Sequence, residues 1–155
     1  MKENLYNAAG ATLLANANKV TRSLSTKMGH LWEVVSQLSP YAINPEAEFG
    51  NLKIKGVDII ALNYNTSELE YIQLKTKKDT LTAGQKSRVV NELKIHDNPV
   101  FCAAFDLGPW HFISKEVPRS SGEGYWRRIG MDYEMVKKYT YKMIGDLEET
   151  YFKTK

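Results

Sequence analysis

One cysteine, Cys102, is all that 155 residues contain. An internal disulfide and a cysteine-built zinc site are therefore both excluded, which fits a reducing, cytoplasmic interior. No apolar run approaches the roughly 18 residues that cross a bilayer, and mean hydropathy is −0.43, so no membrane role is expected. Ala15-Asn16-Ala17 has the small residues of a signal-peptidase site, but Asn7, Gly10 and Thr12 occupy the place of a leader's apolar core. No secretory signal is read, and the sequon Asn65-Thr66-Ser67 is expected to be irrelevant. Also missing are G-x-G-x-x-G, the P-loop, G-x-S-x-G and H-E-x-x-H, which removes the commonest nucleotide-binding, hydrolase and metalloprotease templates. His30, His96 and His111 are far apart in sequence, and none is assigned a role.

What is present suits one domain with one sizeable core: 43% of residues are hydrophobic and 25% charged. The net charge of +3 is mild, but it is not spread evenly. Residues 1–52 hold four basic and four acidic groups, and residues 95–155 hold nine of each. Residues 53–94 hold eight basic against five acidic, so the whole excess lies in the middle. Such a field suits an anionic partner, and a solvated lysine-rich strand edge gives the same count.

Apolar spacing at Leu5, Ala8, Ala9, Thr12, Leu13 and Val20 predicts an N-terminal helix, and Met28, Leu31, Trp32, Val35 and Leu38 predict a second that Pro40 stops. Pro40 to Gly50 reads as a loop. The period then changes: Leu52 to Lys55 alternates like a strand, Gly56 breaks it, and Val57 to Leu62 is apolar except for Asp58. After a turn at Asn63 to Ser67, a strand resumes at Tyr71 to Lys75. Thr82-Ala83-Gly84-Gln85 fits a capping box opening a helix to Lys94. Pro99 to Phe105 reads as a buried strand and Trp110 to Ser114 as a candidate further one. Asp132 caps a last helix whose Met135, Tyr139, Met143 and Leu147 are expected to form its core stripe. Buried strands need helical cover on both faces, so the expected fold is a three-layer α/β/α sandwich around a mixed sheet.

Asp58 interrupts an apolar strand, where an unpaired carboxylate costs several kcal/mol and needs a cation, hydrogen bonds or a solvent-open cleft. Gln73 and Lys75 are two residues apart and project from one face of their strand. A hairpin would bring Asp58 to that pair at one end of the sheet; the same spacing also describes a strand-start aspartate at a turn beside an amphipathic strand.

The pattern Asp58…Gln73-x-Lys75, with the order helix, strand, strand, helix, strand over about residues 25–105, resembles the PD-(D/E)XK nuclease superfamily. The resemblance implies a restriction-endonuclease-like fold and hydrolysis of phosphodiester bonds in double-stranded DNA with Mg²⁺, for which Mn²⁺ can substitute. Both ends of the chain would then be additions to that core, the later one a helical extension over about residues 131–152. Val57 stands where the motif has proline, and Gln73 where it has a carboxylate. The resemblance implies that Asp58, Gln73, the Leu74 carbonyl and Glu33 hold the metal, Glu33 supplying the missing negative charge. Trp32 and Val34 beside Glu33 are expected to anchor it near the core, and Glu70 is out of phase with the motif. Lys75 would orient or deprotonate the attacking water. Lys53, Lys55, Lys77, Lys78, Lys86, Arg88 and Lys94 would bind phosphates, with Gln85 and Arg88 candidates for reading bases. A small type II restriction endonuclease, acting as a homodimer, is the leading expectation. A homing endonuclease, a Holliday-junction resolvase and a non-catalytic DNA-binding domain are the alternatives.

Overall fold

Side chains of the long central strand alternate between two separate cores, and that alternation organises the molecule. The computed structural model describes residues 4–50 and 52–153; the side chain of Val20 lies outside those described. In chain order the elements are α1 (Leu5–Ala8), α2 (Thr12–Asn16), α3 (Asn18–Ser36), β1 (Ala42–Ile43), α4 (Pro45–Glu48), β2 (Ile59–Leu62) and β3 (Leu69–Lys75). These are followed by α5 (Ala83–Leu93), β4 (Pro99–Ala103), β5 (Arg119–Ser121), α6 (Glu123–Arg128) and α7 (Tyr133–Lys153). The five strands lie in sequence order. β1–β2 and β2–β3 are antiparallel, while β3–β4 and β4–β5 are parallel. The protein is thus α/β with a mixed sheet.

Ile72 and Leu74 of β3 turn to a core shared with Met28 and Trp32 of α3, Tyr125 and Trp126 of α6 and Ile144 of α7. Tyr71 turns the other way, toward Val89 and Leu93 of α5 and Phe101 of β4. β4 is buried on both faces, as a central parallel strand must be, with Val100 and Cys102 in the first core and Phe101 in the second. Buried polar atoms in the first core are paired: Trp126 Nε1 donates to the Ala104 carbonyl at 2.8 Å, and the Ser36 and Tyr125 hydroxyls lie 2.6 Å apart. Burial pushes the Cys102 thiol up to about 12, so it stays an unreactive core side chain.

The structure differs from the sequence expectations in several places. Leu5 to Val20 is not one helix: Gly10, at φ +76°, ends the first turn, and the third helix runs unbroken from Asn18 to Ser36. Residues 52–55 form no strand, because the Val57 amide bonds the Ile54 carbonyl at 3.1 Å and closes a turn at Lys55-Gly56. Pro40 to Gly50 contains β1 and α4, the latter opened by Asn44, whose side chain accepts from the Ala47 amide. Trp110 to Ser114 is irregular; its rings instead cover the second core, Phe112 stacking on Phe101 at 4.3 Å. The strand that completes the sheet is β5, further on. Along α7 the core contacts come from the row Val136, Thr140 and Ile144, with Met143 of the expected row packed beside them, whereas the rest of that row, Met135, Tyr139 and Leu147, is exposed. Both rows repeat every four residues, so spacing alone does not say which faces inward.

Glu70, buried on β3, is bonded by Asn63 Nδ2 at 3.0 Å and by Arg128 Nε at 3.1 Å, which accounts structurally for the carboxylate that is out of phase with the motif. Removing one partner of a buried ion pair leaves the other uncompensated. Arg128→Met is therefore expected to lower stability by about 3 kcal/mol, and adding Glu70→Met to recover part of the loss. Urea unfolding measures both; an Arg128→Met midpoint equal to wild type would show that solvent already screens the pair.

Candidate functional site

Gly56 sets the approach to the site. Its φ of +77° belongs to the left-handed region, and a Cβ there would meet the Glu92 side chain at 2.6 Å, so the turn before β2 needs glycine at this point. Two residues later Asp58 clasps the main chain of β3. Its amide donates to the Ile72 carbonyl at 2.9 Å and its Oδ2 accepts from the Leu74 amide at 2.8 Å. These two bonds flank Gln73, and the neighbouring pair Ile59–Ile72 fixes the register. Asp58 and the Gln73–Lys75 strand are therefore brought together, as the hairpin reading expects.

Gln73 is buried, and its Oε1 has no hydrogen-bond partner among the described residues. An orphaned buried acceptor costs about 1–3 kcal/mol unless a bound group satisfies it. Lys75 ends the strand, partly buried, two residues on.

Glu33 reaches the site from the C-terminal half of α3. Trp32 beside it is buried and donates from Nε1 to Thr76 Oγ1 at 3.2 Å, which ties α3 to the segment just after Lys75. Val34 is exposed and anchors nothing, because it lies on the opposite side of the helix from Trp32. Burial pushes the Glu33 carboxyl up to about 7, with the charges of Asp58 and Glu46 adding to the shift, and Lys75 and the Asn44 side chain opposing it. Burial likewise raises Asp58, against the Leu74 amide and the positive charges of Lys75, His30 and Lys53. Glu33, Asp58 and Lys75 thus share one electrostatic field. A cleft of about 80 Å³ opens between Glu33, Asn44, Glu46, Lys53 and Asp58; Gln73 and Lys75 do not line it.

Sequence reasoning misses two neighbours. Asn44 Nδ2 donates to Glu33 Oε2 at 3.0 Å while its Oδ1 caps α4, and Glu46 adds a third acidic charge. The Asn44-Pro45 pair is a helix-start signal, hidden because the segment reads as a loop. His30 Nδ1 lies 4.0 Å from Glu33 Oε2.

The basic residues are dispersed. Lys77 pairs with Asp79 at 3.1 Å, Lys78 with Asp106 at 2.7 Å, and Lys94 with Glu116 at 3.5 Å. Lys55 and Arg88 both approach Glu92, at 3.9 and 4.0 Å. Gln85 accepts from the Thr82 amide at 3.0 Å, forming its half of the capping box. Lys53 borders the cleft, and Lys86 lies early in α5, where a separate hollow is lined by Asp79, Thr82, Trp110 and His111.

No group of three His, Cys, Asp or Glu side chains positioned to hold a metal occurs among the described residues. A divalent cation would rely on two carboxylates, Asp58 and Glu33, completed by the unpaired Gln73 oxygen. Those are hard oxygen donors of the kind Mg²⁺ takes, and the orphaned atom is what such a cation would satisfy. Searches against family models and curated proteins return no match for this chain.

The Glu33 shift has a definite sign. Between the unperturbed 4.5 and about 7 the folded protein keeps a proton that the unfolded chain has released. This contribution is full below pH 4.5 and is lost as pH rises through about 7. Allowing for partial solvent screening, about 1–2 kcal/mol should disappear between about pH 5 and 8. Glu33→Gln should flatten that slope, which chemical denaturation at a series of pH values measures. Identical slopes would mean that Glu33 titrates as an ordinary surface acid.

Proposed function

We propose that this chain is a metal-dependent endonuclease of restriction-endonuclease-like fold that hydrolyses phosphodiester bonds in double-stranded DNA. The observation that carries the reading is the clasp of Asp58 around Gln73, with Glu33 and Lys75 in the same field. A nuclease of this class needs two acidic oxygens, a third oxygen donor and an ammonium at one end of a sheet, and these residues supply them. A small restriction endonuclease is the favoured role; homing and junction-resolving enzymes would use the same chemistry.

In this reading Asp58, Glu33, Gln73 Oε1 and the Leu74 carbonyl hold Mg²⁺. When bound, the ion neutralises charge on the scissile phosphate and makes a water more acidic. Asp58 is held by the Leu74 amide, so its free oxygen is fixed before DNA arrives. Lys75 orients the attacking water or takes its proton, and its charge stabilises the transition state as the P–O bond breaks. Lys53 beside the cleft and Lys86 early in α5 anchor backbone phosphates.

Plasmid DNA incubated with the protein in Mg²⁺ should be nicked or linearised, and EDTA should stop the reaction. Asp58→Ala and Lys75→Ala should each lower the rate by about 10³-fold or more, a loss typical of removing a group that acts in the transition state. Equal cleavage by both folded variants would end the assignment. DNA binding without cleavage, converted to cleavage by Gln73→Glu, would instead favour a non-catalytic binding domain.

Recognition is tested separately by salt. Lys86→Ala should weaken binding to all sequences and flatten the slope of log K against log salt by roughly one unit. Arg88→Ala or Gln85→Ala should cost on the order of 1–3 kcal/mol on the cognate site alone if those side chains read bases. Binding unchanged in all three variants would turn α5 away from the DNA.

A further inference from the structure

Of the two carboxylates assigned to the cation, Asp58 belongs to the sheet and Glu33 does not. Asp58 immediately precedes β2 and is bonded to β3 through the Leu74 amide, whereas Glu33 stands on α3 with its side chain 17% exposed. Asn44 joins Glu33 to the sheet. It follows β1 directly, one residue beyond Ile43, which pairs with Ile60 of β2. Its Nδ2 donates to Glu33 Oε2 at 3.0 Å, and its Oδ1 accepts from the Ala47 amide at 3.1 Å.

We propose that Asn44 is a positioning residue, docking the helix-borne Glu33 carboxylate onto the sheet that holds Asp58 and leaving Glu33 Oε1 for the divalent cation. This rests on the cation site of the nuclease reading.

The amide of Asn44 has one workable orientation. Turned over, it would set its oxygen against the carboxylate and its amino group against the Ala47 N–H, losing both bonds. The α4 cap therefore fixes a donor toward Glu33, and a charge-assisted bond of this kind is among the stronger ones. Capping needs only the oxygen, so the Nδ2 contact is a second task for the same side chain. Among the described residues no other side chain hydrogen-bonds the Glu33 carboxylate. His30 Nδ1, on an 80% exposed side chain, lies 4.0 Å from Oε2, beyond hydrogen-bond reach. Without Asn44 the Glu33 side chain would keep rotamer freedom that a bound cation must then remove. The bond removes it beforehand, and because it occupies Oε2 it leaves the other oxygen to the cation.

Binding of Mn²⁺ to the full chain tests this without any cleavage, followed in mildly alkaline buffer by loss of the free ion's electron paramagnetic resonance signal. Wild type should bind the ion, and Asn44→Ser should bind it about tenfold more weakly. Serine caps a helix as well as asparagine does but carries no amide group to reach Glu33, so the circular-dichroism spectrum should not change. Asn44→Gly, another accepted cap, should weaken binding equally and stands in if the serine variant does not fold. Adding Asn44→Ser to Glu33→Gln should cause no further loss, because Asn44 acts through Glu33. Wild type that takes up no Mn²⁺ would overturn the cation site and this inference with it. Wild-type affinity in folded Asn44→Ser or Asn44→Gly would overturn this inference alone, leaving Asn44 a helix cap, and so would a further loss in the Glu33→Gln background.

Discussion

A shift of one residue between β2 and β3 would turn Gln73 and Lys75 away from Asp58 and drive Ile72 and Leu74 out of the first core. The rest of the structure depends on that register. Ile59 and Ile72, both fully buried and paired across the strands, hold it from the apolar side. Asp58 holds it from the polar side through its bonds to Ile72 and Leu74. The two kinds of contact reinforce each other: packing alone tolerates small slips, whereas a carboxylate bonded to one amide does not. Thus one interaction both aligns the sheet and fixes the position of the carboxylate.

That carboxylate is costly where it sits. Asp58 is mostly desolvated, and its charge raises the proton affinity of Glu33, an effect that Lys75 only partly offsets. The Gln73 oxygen adds an unsatisfied dipole to the same region. Three unfavourable features in one place are unusual in a well-packed domain, where buried polar groups are as a rule satisfied. Perturbed groups of this kind collect where a ligand relieves them. A divalent cation in the cleft between Asp58 and Glu33 would favour both carboxylates ionised.

Much of this is legible in the residues. The alternation of Tyr71, Ile72, Gln73, Leu74 and Lys75 marks the two faces of β3, because a central strand buried on both sides must sort its side chains by parity. Asp58 is visible as a charge in an apolar run. Other features are hidden for equally physical reasons. Leu52 to Lys55 does alternate, but the left-handed Gly56 bends the segment into a turn, and local periodicity carries no information about φ. The aromatics of Trp110 to Ser114 look like a strand because both strands and core plugs favour large rings. On α7 two rows repeat every four residues, and only tertiary packing decides between Ile144 and Tyr139. The roles of Asn44 and Glu46 depend on α4 folding back toward Glu33, a tertiary contact with no local signature.

The basic middle of the chain illustrates a further limit of counting charge. Its excess is real, but Lys77, Lys78 and Lys94 each face a carboxylate within 4 Å, and two of those acids, Asp106 and Glu116, come from beyond the basic segment. Of these only Lys94–Glu116 is an exposed pair of the kind that contributes little to stability, whereas Asp79 is buried beside Lys77. All three pairs alter how an anion is met. A phosphate approaching Lys78 must displace Asp106, whose carboxyl that lysine holds below its usual range, and so gains less than it would from a free ammonium. Lys53 instead borders the cleft of Asp58 and Glu33, and Lys86 the hollow beside α5. The field that an anion meets is therefore narrower than the sequence count implies, and Lys53 brings part of it to the two carboxylates themselves.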